Sequence, residues 1–328
     1  MTLENEQALS RREFVRRTLR AGITLAAVGG VGLWRFDSKG PEPPGAGEQV
    51  NLPDYSVPGT KGRMSVIRGS DRPATLAKAV AGIGGIEAFV RPGDRVLLKV
   101  NAAFASPPIL SATTHPDLVR GLVRLCFQAG AAAVVVTDNP INDPASCFRL
   151  TGIGEAAESE GARVFVPEPG AFQATTLEGG RLIRNWPLLY EPFRGIDKLI
   201  GVAPVKDHHR SGGSMIMKNW YGLLGGPRNL FHQDIHNIIK ELALLVTPTF
   251  VILDGTWTMM ANGPTGGSID DLKATHTLIA STDQVAADAF GATLLGKRPA
   301  DLPWIAKAEE AGAGTADFEA LRPLVGEV

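Results

Sequence analysis

Between residues 64 and 296 the chain alternates short β-branched runs with longer segments whose apolar positions recur every three or four residues. That order predicts strands separated by amphipathic helices, and hence an α/β fold: a mostly parallel β-sheet flanked by helices, in Rossmann-like order. MSVIRG predicts a first strand. RPATLAKAVAGIGGI predicts a helix stopping at Gly84 and Gly85, where glycine accepts the left-handed conformation that closes a helix. DRVLLKVN (94–101) is apolar without alternation, as expected of a strand covered on both faces. THPDLVRGLVRLCFQAG predicts a helix capped by Thr114, with Pro116 in its first turn and Leu118, Leu122, Leu125 and Cys126 on one face. AAAVVVTD returns as a parallel strand. A helix over 151–160 and the strand RVFVPE continue the series.

Around 172–190 the period changes: TTLEGGRLIRNWPLL alternates about a Gly-Gly turn and predicts an inserted β-hairpin. The α/β order then resumes with the strand DKLIGVAP, helices over 214–224 and 231–246, the strands TFVILDG (249–255) and THTLIAS (275–281), and the helix DQVAADAFGATLLG. Two helices are expected to close the chain. The loop DGTWTMMANGPTGGSIDD (254–271) is too long for a simple connector and suits a lid or pocket wall.

The first 37 residues follow another rule. Arg11 and Arg12 stand between Ser10 and Phe14, and an apolar run from Ala21 to Trp34 follows five arginines. That run is too short to cross a hydrocarbon layer of ~30 Å, and its basic flank is that of an export signal. The segment resembles a twin-arginine signal. It implies export through the twin-arginine translocation machinery to the periplasm or beyond, without a stable transmembrane span, and anchoring if the signal is not cleaved. Residues 38–60 are rich in proline and glycine and are expected to be a linker, which leaves 61–328 as a single α/β domain.

Charge excludes some functions. Residues 1–40 hold seven basic and four acidic residues, so the rest carries 26 basic against 30 acidic. No basic field suited to nucleic acid remains. Cys126 and Cys147 are the only cysteines, too few for a four-cysteine iron–sulfur cluster or a disulfide framework. Cys126, on the apolar face of a predicted helix, is expected to be a buried thiol.

The polar residues fall in a pattern. Lys99 and Asn101, Asp138, Lys206 with His208 and His209, Asp254, and Asp283 each end or follow a predicted strand. In an open parallel sheet that edge is where ligands bind. KDHHRSGGSMIMKNWYG (206–222) adds glycines and a helix start that suit an anion, with Lys218 and Asn219 just beyond. Adjacent lysines lower each other's pKa, which can prepare one as a nucleophile.

Four of the six histidines lie between 208 and 236, with His232 and His236 at i, i+4 on a predicted helix. An alternative reading uses His209, His232 and Asp254 as ligands of Zn²⁺ or a similar divalent ion.

VLLKVN, THPDLVRGLVRLCFQAGAAAVVVTDNP, MIMKNWYGLL with a following histidine, PTFVILDGTWTMMANGPTGG and LIASTDQVAADAFGATLLG occur in this order. Together they resemble the bacterial and archaeal family catalogued as domain of unknown function 362. The resemblance implies functional positions at Lys99, Asn101, Asp138, Lys218, Asn219, His232, Asp254, Asn262, Gly263 and Pro264. Many relatives carry a ferredoxin-like cluster module, for which this chain lacks the cysteines. Where relatives show Lys-Thr-His at a strand end, this chain has Lys206, Asp207, His208 and His209, and His209 is taken as the motif histidine.

The leading expectation is an exported protein whose crevice binds a small anionic ligand and acts on it. Lys99 and Lys218 would clamp charge or act as electrophiles, with His209 as acid or base. Asn101 and Asn219 would orient the ligand, Asp138, Lys206, Asn262 and Gly263 would line its site, and Asp254 would partner a histidine or an ion. The alternatives are the metal-site protein and a non-enzymatic exported ligand-binding or accessory protein.

Overall fold

A computed structural model describes residues 49–328, and Arg12 alone before them. The twin-arginine segment and most of the linker therefore lie outside the described residues. Ala46–Val328 form one compact unit. The end of the expected linker is fastened to it: Val50 and Tyr55 are buried, and the Tyr55 backbone bonds to Thr247 and Thr249.

Eight strands form one sheet: β1 Met64–Arg68, β2 Arg95–Lys99, β3 Ala133–Thr137, β4 Arg163–Phe165, β7 Lys198–Lys206, β8 Phe250–Met259, β9 Leu272–Ser281 and β10 Leu324–Glu327. Their order is β10-β1-β9-β8-β7-β2-β3-β4. Every neighbour pair is parallel except those of β9, which runs against both β1 and β8. The expected hairpin is present as β5 Phe172–Thr175 and β6 Trp186–Leu189, paired antiparallel as a separate small sheet.

Alternation along the central strands feeds two cores. Leu97, Leu199 and Leu253 join one, and Leu98, Ile200 and Ile252 the other. Helices α1 Arg72–Gly82, α2 Pro116–Gln128 and α4 Ile153–Glu158 cover the second core, α3 Pro144–Leu150 leading into α4. Helices α5 Ile216–Asn219, α6 Ile235–Leu245, α7 Gln284–Leu294 and α8 Pro303–Glu310 cover the first. Cys126 and Cys147 are both free and buried. Among the described residues no helix is long and apolar enough to cross a membrane.

Five local expectations change. His115, not Thr114, caps α2, because the Thr114 hydroxyl is engaged with Asn101 N and Val202 O. The expected helix over 214–224 is the single turn α5 followed by a 3₁₀ turn, Trp220–Leu223. His232 belongs to a 3₁₀ segment, Arg228–Asp234, that precedes α6, so it shares no α-helical face with His236. Asp283 is at the edge opposite to Asp138 because β9 is antiparallel, and there it caps α7 through Val285 N and Ala286 N. Beyond α8 the chain makes a 3₁₀ turn and then β10, which pairs with β1 in place of a second helix.

Candidate functional site

The C-terminal ends of β2, β3 and β7 open on a crevice of about 410 Å³. Asn101, Asp138, Lys206, Lys218, Asn219, His209 and His232 all line it, so five separate segments meet there. Asp254, Asn262 and Gly263 do not line it, although Pro264 does.

Beneath the crevice, rather than on its wall, lies Lys99. Its ammonium sits 2.7 Å from Asp138 Oδ1 and also donates to Val100 O and to Asn219 O and Oδ1. Burial lowers its pKa, and Asp138 pulls it back up. All its donors are engaged, so Lys99 holds strands together instead of clamping a ligand. Asn219 is likewise committed, its amide oxygen to Lys99 and its amide nitrogen to Val202 O. Asp138 Oδ2 accepts from Ala102 N and fixes the loop after β2. Gly222 must be glycine here, since a Cβ would fall 2.0 Å from Asp138 Oδ1.

Lys206 emerges where β7 leaves regular pairing. The register shifts between Pro204, which has no N–H for the ladder, and Lys206. The Lys206 ammonium donates to Ala112 O and lies 5.2 Å from the Phe104 ring centroid. Burial, aided by the nearby Lys218 charge, lowers its pKa to about 7. Lys218 is carried by α5, whose first N–H groups, Ile216 N and Met217 N, donate to the buried Asp288 carboxyl. Its pKa falls to about 8, through burial and the Arg228 charge.

Three imidazoles form a bank. His208 lies parallel to His209 at 4.9 Å and to His232 at 6.1 Å between ring centroids. Their tautomers follow from their partners. His208 Nδ1 accepts from Arg210 N and Ser211 N, so its proton is on Nε2. His209 Nδ1 donates to Gly263 O and His232 Nδ1 to Asn229 O, which leaves both Nε2 lone pairs open. Burial, with Lys218 next, lowers the His208 pKa to about 2, so that ring is neutral. His208 and His209 both reach the crevice, the former buried and the latter exposed.

Asp254 lies elsewhere. β8 continues past it to Met259, and its carboxylate is held by Arg72 Nε at 2.9 Å and by Thr256 N. Among the described residues no group of three or more His, Cys, Asp and Glu side chains is arranged to hold a metal ion. The set His209, His232 and Asp254 is therefore not assembled. Asn262 Nδ2 bonds the Asp271 carboxylate across its own loop. Gly263 acts through its backbone: its carbonyl holds His209, and a Cβ would meet Asp207 O at 1.8 Å.

Sequence reasoning did not single out Arg228 or Tyr221. Arg228 donates to four carbonyls, those of Tyr221, Leu224, Asn139 and Pro140, and so ties the loop after β3 to the crevice wall. The Tyr221 hydroxyl donates to Arg228 O, and its oxygen accepts from His232 Nδ1. Nothing in residue type or spacing flags Arg228, whereas Tyr221 stands in the same stretch as Lys218 and Asn219.

A curated protein, the thylakoid-associated protein sll1697 of Synechocystis sp. (strain ATCC 27184 / PCC 6803 / Kazusa), is 28% identical over 266 residues, covering 76% of this chain and 78% of its own. Among solved structures, the lactate racemase apoprotein of Thermoanaerobacterium thermosaccharolyticum superposes with a TM-score of 0.40 at 11% identity over 73% of this chain. A Thermotoga maritima protein does so with a TM-score of 0.31 at 12% identity over 58%. This chain spans 58% and 52% of those two solved chains. Residues 96–293 match the family described as Domain of unknown function (DUF362), and the chain belongs to that family.

Proposed function

We propose that the crevice takes up a small anionic ligand and moves a proton on it, in a protein exported by the twin-arginine route. The observation that carries this is an imbalance of charge. Asp138 is the one carboxylate on the crevice wall among the described residues, and Lys99 already holds it from below. Lys206, Lys218 and Arg228 share that wall and have no carboxylate within ion-pair reach among the described residues. Cations that are buried, as Lys206 is, or half-buried, as Lys218 and Arg228 are, favour an anion when they lack counter-charge, because the wall screens them less than water does.

Within that site Lys206 and Lys218 attract the anion. Asn101 can donate from its amide nitrogen, which has no partner among the described residues. His209 Nε2 can take up a proton and give it back, as a general base and then acid, while the neutral His208 ring can donate a hydrogen bond from Nε2–H to the ligand. Export rests on Arg11, Arg12 and the apolar run behind them.

Calorimetry with sulfate tests the anion site. Replacing Lys206 by Met should weaken binding about tenfold, the roughly 1.4 kcal/mol of one charge-assisted contact. Affinity unchanged from the parent protein in both Lys206→Met and Lys218→Met would remove the reading. If His209→Ala leaves turnover of any identified ligand unaltered with the fold intact, His209 is not the acid or base. Cell fractionation of an Arg11→Lys, Arg12→Lys variant tests export, with retention in the cytoplasm as the expected result.

A further inference from the structure

The cations near the crevice differ in what holds them. Lys99 is saturated by an ion pair and carbonyls and Arg228 by four carbonyls, while Lys206 is anchored through one N–H to Ala112 O over the Phe104 ring and keeps donors for an anion. Lys218 is unlike them. It is half-buried on the crevice wall, and among the described residues its ammonium has neither a hydrogen-bond acceptor nor a carboxylate, lying 5.2 Å from the Tyr221 ring centroid. An amine with no acceptor to retain its proton and with open space before it is in the condition of a nucleophile.

We propose that Lys218 attacks the carbonyl carbon of a small 2-oxo acid and forms an imine with it, Lys206 holding the carboxylate. The inference rests on the anion reading above and names the ligand class. The neutral Nζ lone pair forms the C–N bond while the carbonyl π pair moves to oxygen, and one Nζ proton passes through His209 Nε2 to that oxygen to give a neutral carbinolamine. The second Nζ proton follows the same route to the departing hydroxyl as the nitrogen lone pair closes C=N, so both amine protons end in the water. Water leaves, C=N remains, and nothing is oxidised or reduced.

Three features select this chemistry. The pKa of Lys218, about 8, leaves a fraction of free amine in neutral solution. Lys206 has the lower pKa, but Ala112 O anchors one of its N–H groups and its side chain is packed in the wall, so it can donate to an anion in the crevice but is not free to swing onto a carbonyl carbon. Lys206 and Lys218 line the same crevice of about 410 Å³, so a small ligand that meets both carries its anionic group and its carbonyl together, as a 2-oxo acid does.

The test is reductive trapping. The full chain is incubated with pyruvate, and separately with 2-oxoglutarate, in the presence of cyanoborohydride, and examined by intact mass and peptide mapping. One reduced adduct per chain on Lys218, suppressed by excess sulfate, is expected. Lys218→Arg should retain sulfate binding and lose the adduct, and Lys218→Met should lose the adduct as well. Sulfate binding without an adduct from either acid overturns the imine and leaves the anion site standing. An adduct on Lys206, or spread over surface lysines, also overturns it. If sulfate does not bind and no adduct forms, the anion reading falls together with the inference.

Discussion

Lys99 Nζ lies 2.7 Å from Asp138 Oδ1, and both side chains are buried, Asp138 only touching the crevice. The pair joins the ends of the neighbouring strands β2 and β3 and sets the floor of the crevice. Removing one partner of a buried pair strands the other charge, so Lys99→Met should cost about 3–5 kcal/mol. Urea denaturation measures this. The double variant Lys99→Met, Asp138→Asn should recover part of the loss, and if it does not, the stranded carboxylate is not the cause.

Gly263 is packed backbone to backbone against Asp207, where a Cβ would fall 1.8 Å from the Asp207 carbonyl oxygen. The two loops must separate to admit a methyl group. Gly263→Ala should therefore destabilise the fold by roughly 1–3 kcal/mol or more, as overpacking does. It should also release His209 from the Gly263 carbonyl, which imidazole nitrogen NMR would register.

Lys206 sets a pH dependence for binding. Burial, then the Lys218 charge, lowers its pKa to about 7. Its ammonium attracts an anion and its free amine does not, so sulfate affinity should fall as pH rises through about 7. Sulfate keeps its charge across that range, which makes it a clean probe. Lys206→Arg, whose guanidinium does not titrate there, should remove the decline near 7 and leave only the later one set by Lys218, whose pKa is about 8.

Asp288 sets a pH dependence for stability. Its side chain is buried against Ile216 N and Met217 N, and burial raises its pKa from 3.8 to about 8. Between those values the folded chain binds the proton more tightly than the unfolded chain does. Stability contributed by this group is thus full below about pH 4 and is lost as pH rises towards about 8. The slope is at most about 1.4 kcal/mol per pH unit. Urea denaturation between pH 5 and pH 8 should show the decline, and Asp288→Asn should remove it.

Much of this protein can be read from neighbouring residues alone. The β-branched runs, the apolar stripe of α2, the Gly-Gly hairpin and the segments that deliver Asn101, Asp138, Lys206 and Lys218 to one edge are all legible, because periodicity and turn chemistry act over a few residues. Direction and partnership are not. THTLIAS is equally apolar read either way, and only the antiparallel pairing of β9 with β8 across the 260–271 loop sends Asp283 to the far edge. Lys99 and Lys218 look alike as lysines near a strand end or helix start, yet one is locked onto Asp138 and the other faces open space. Asp254 and Asp138 both follow apolar runs, but Arg72 takes the first and Lys99 the second. Charge pairing depends on which distant segments the packed sheet brings within a few ångströms, and that is decided by tertiary structure.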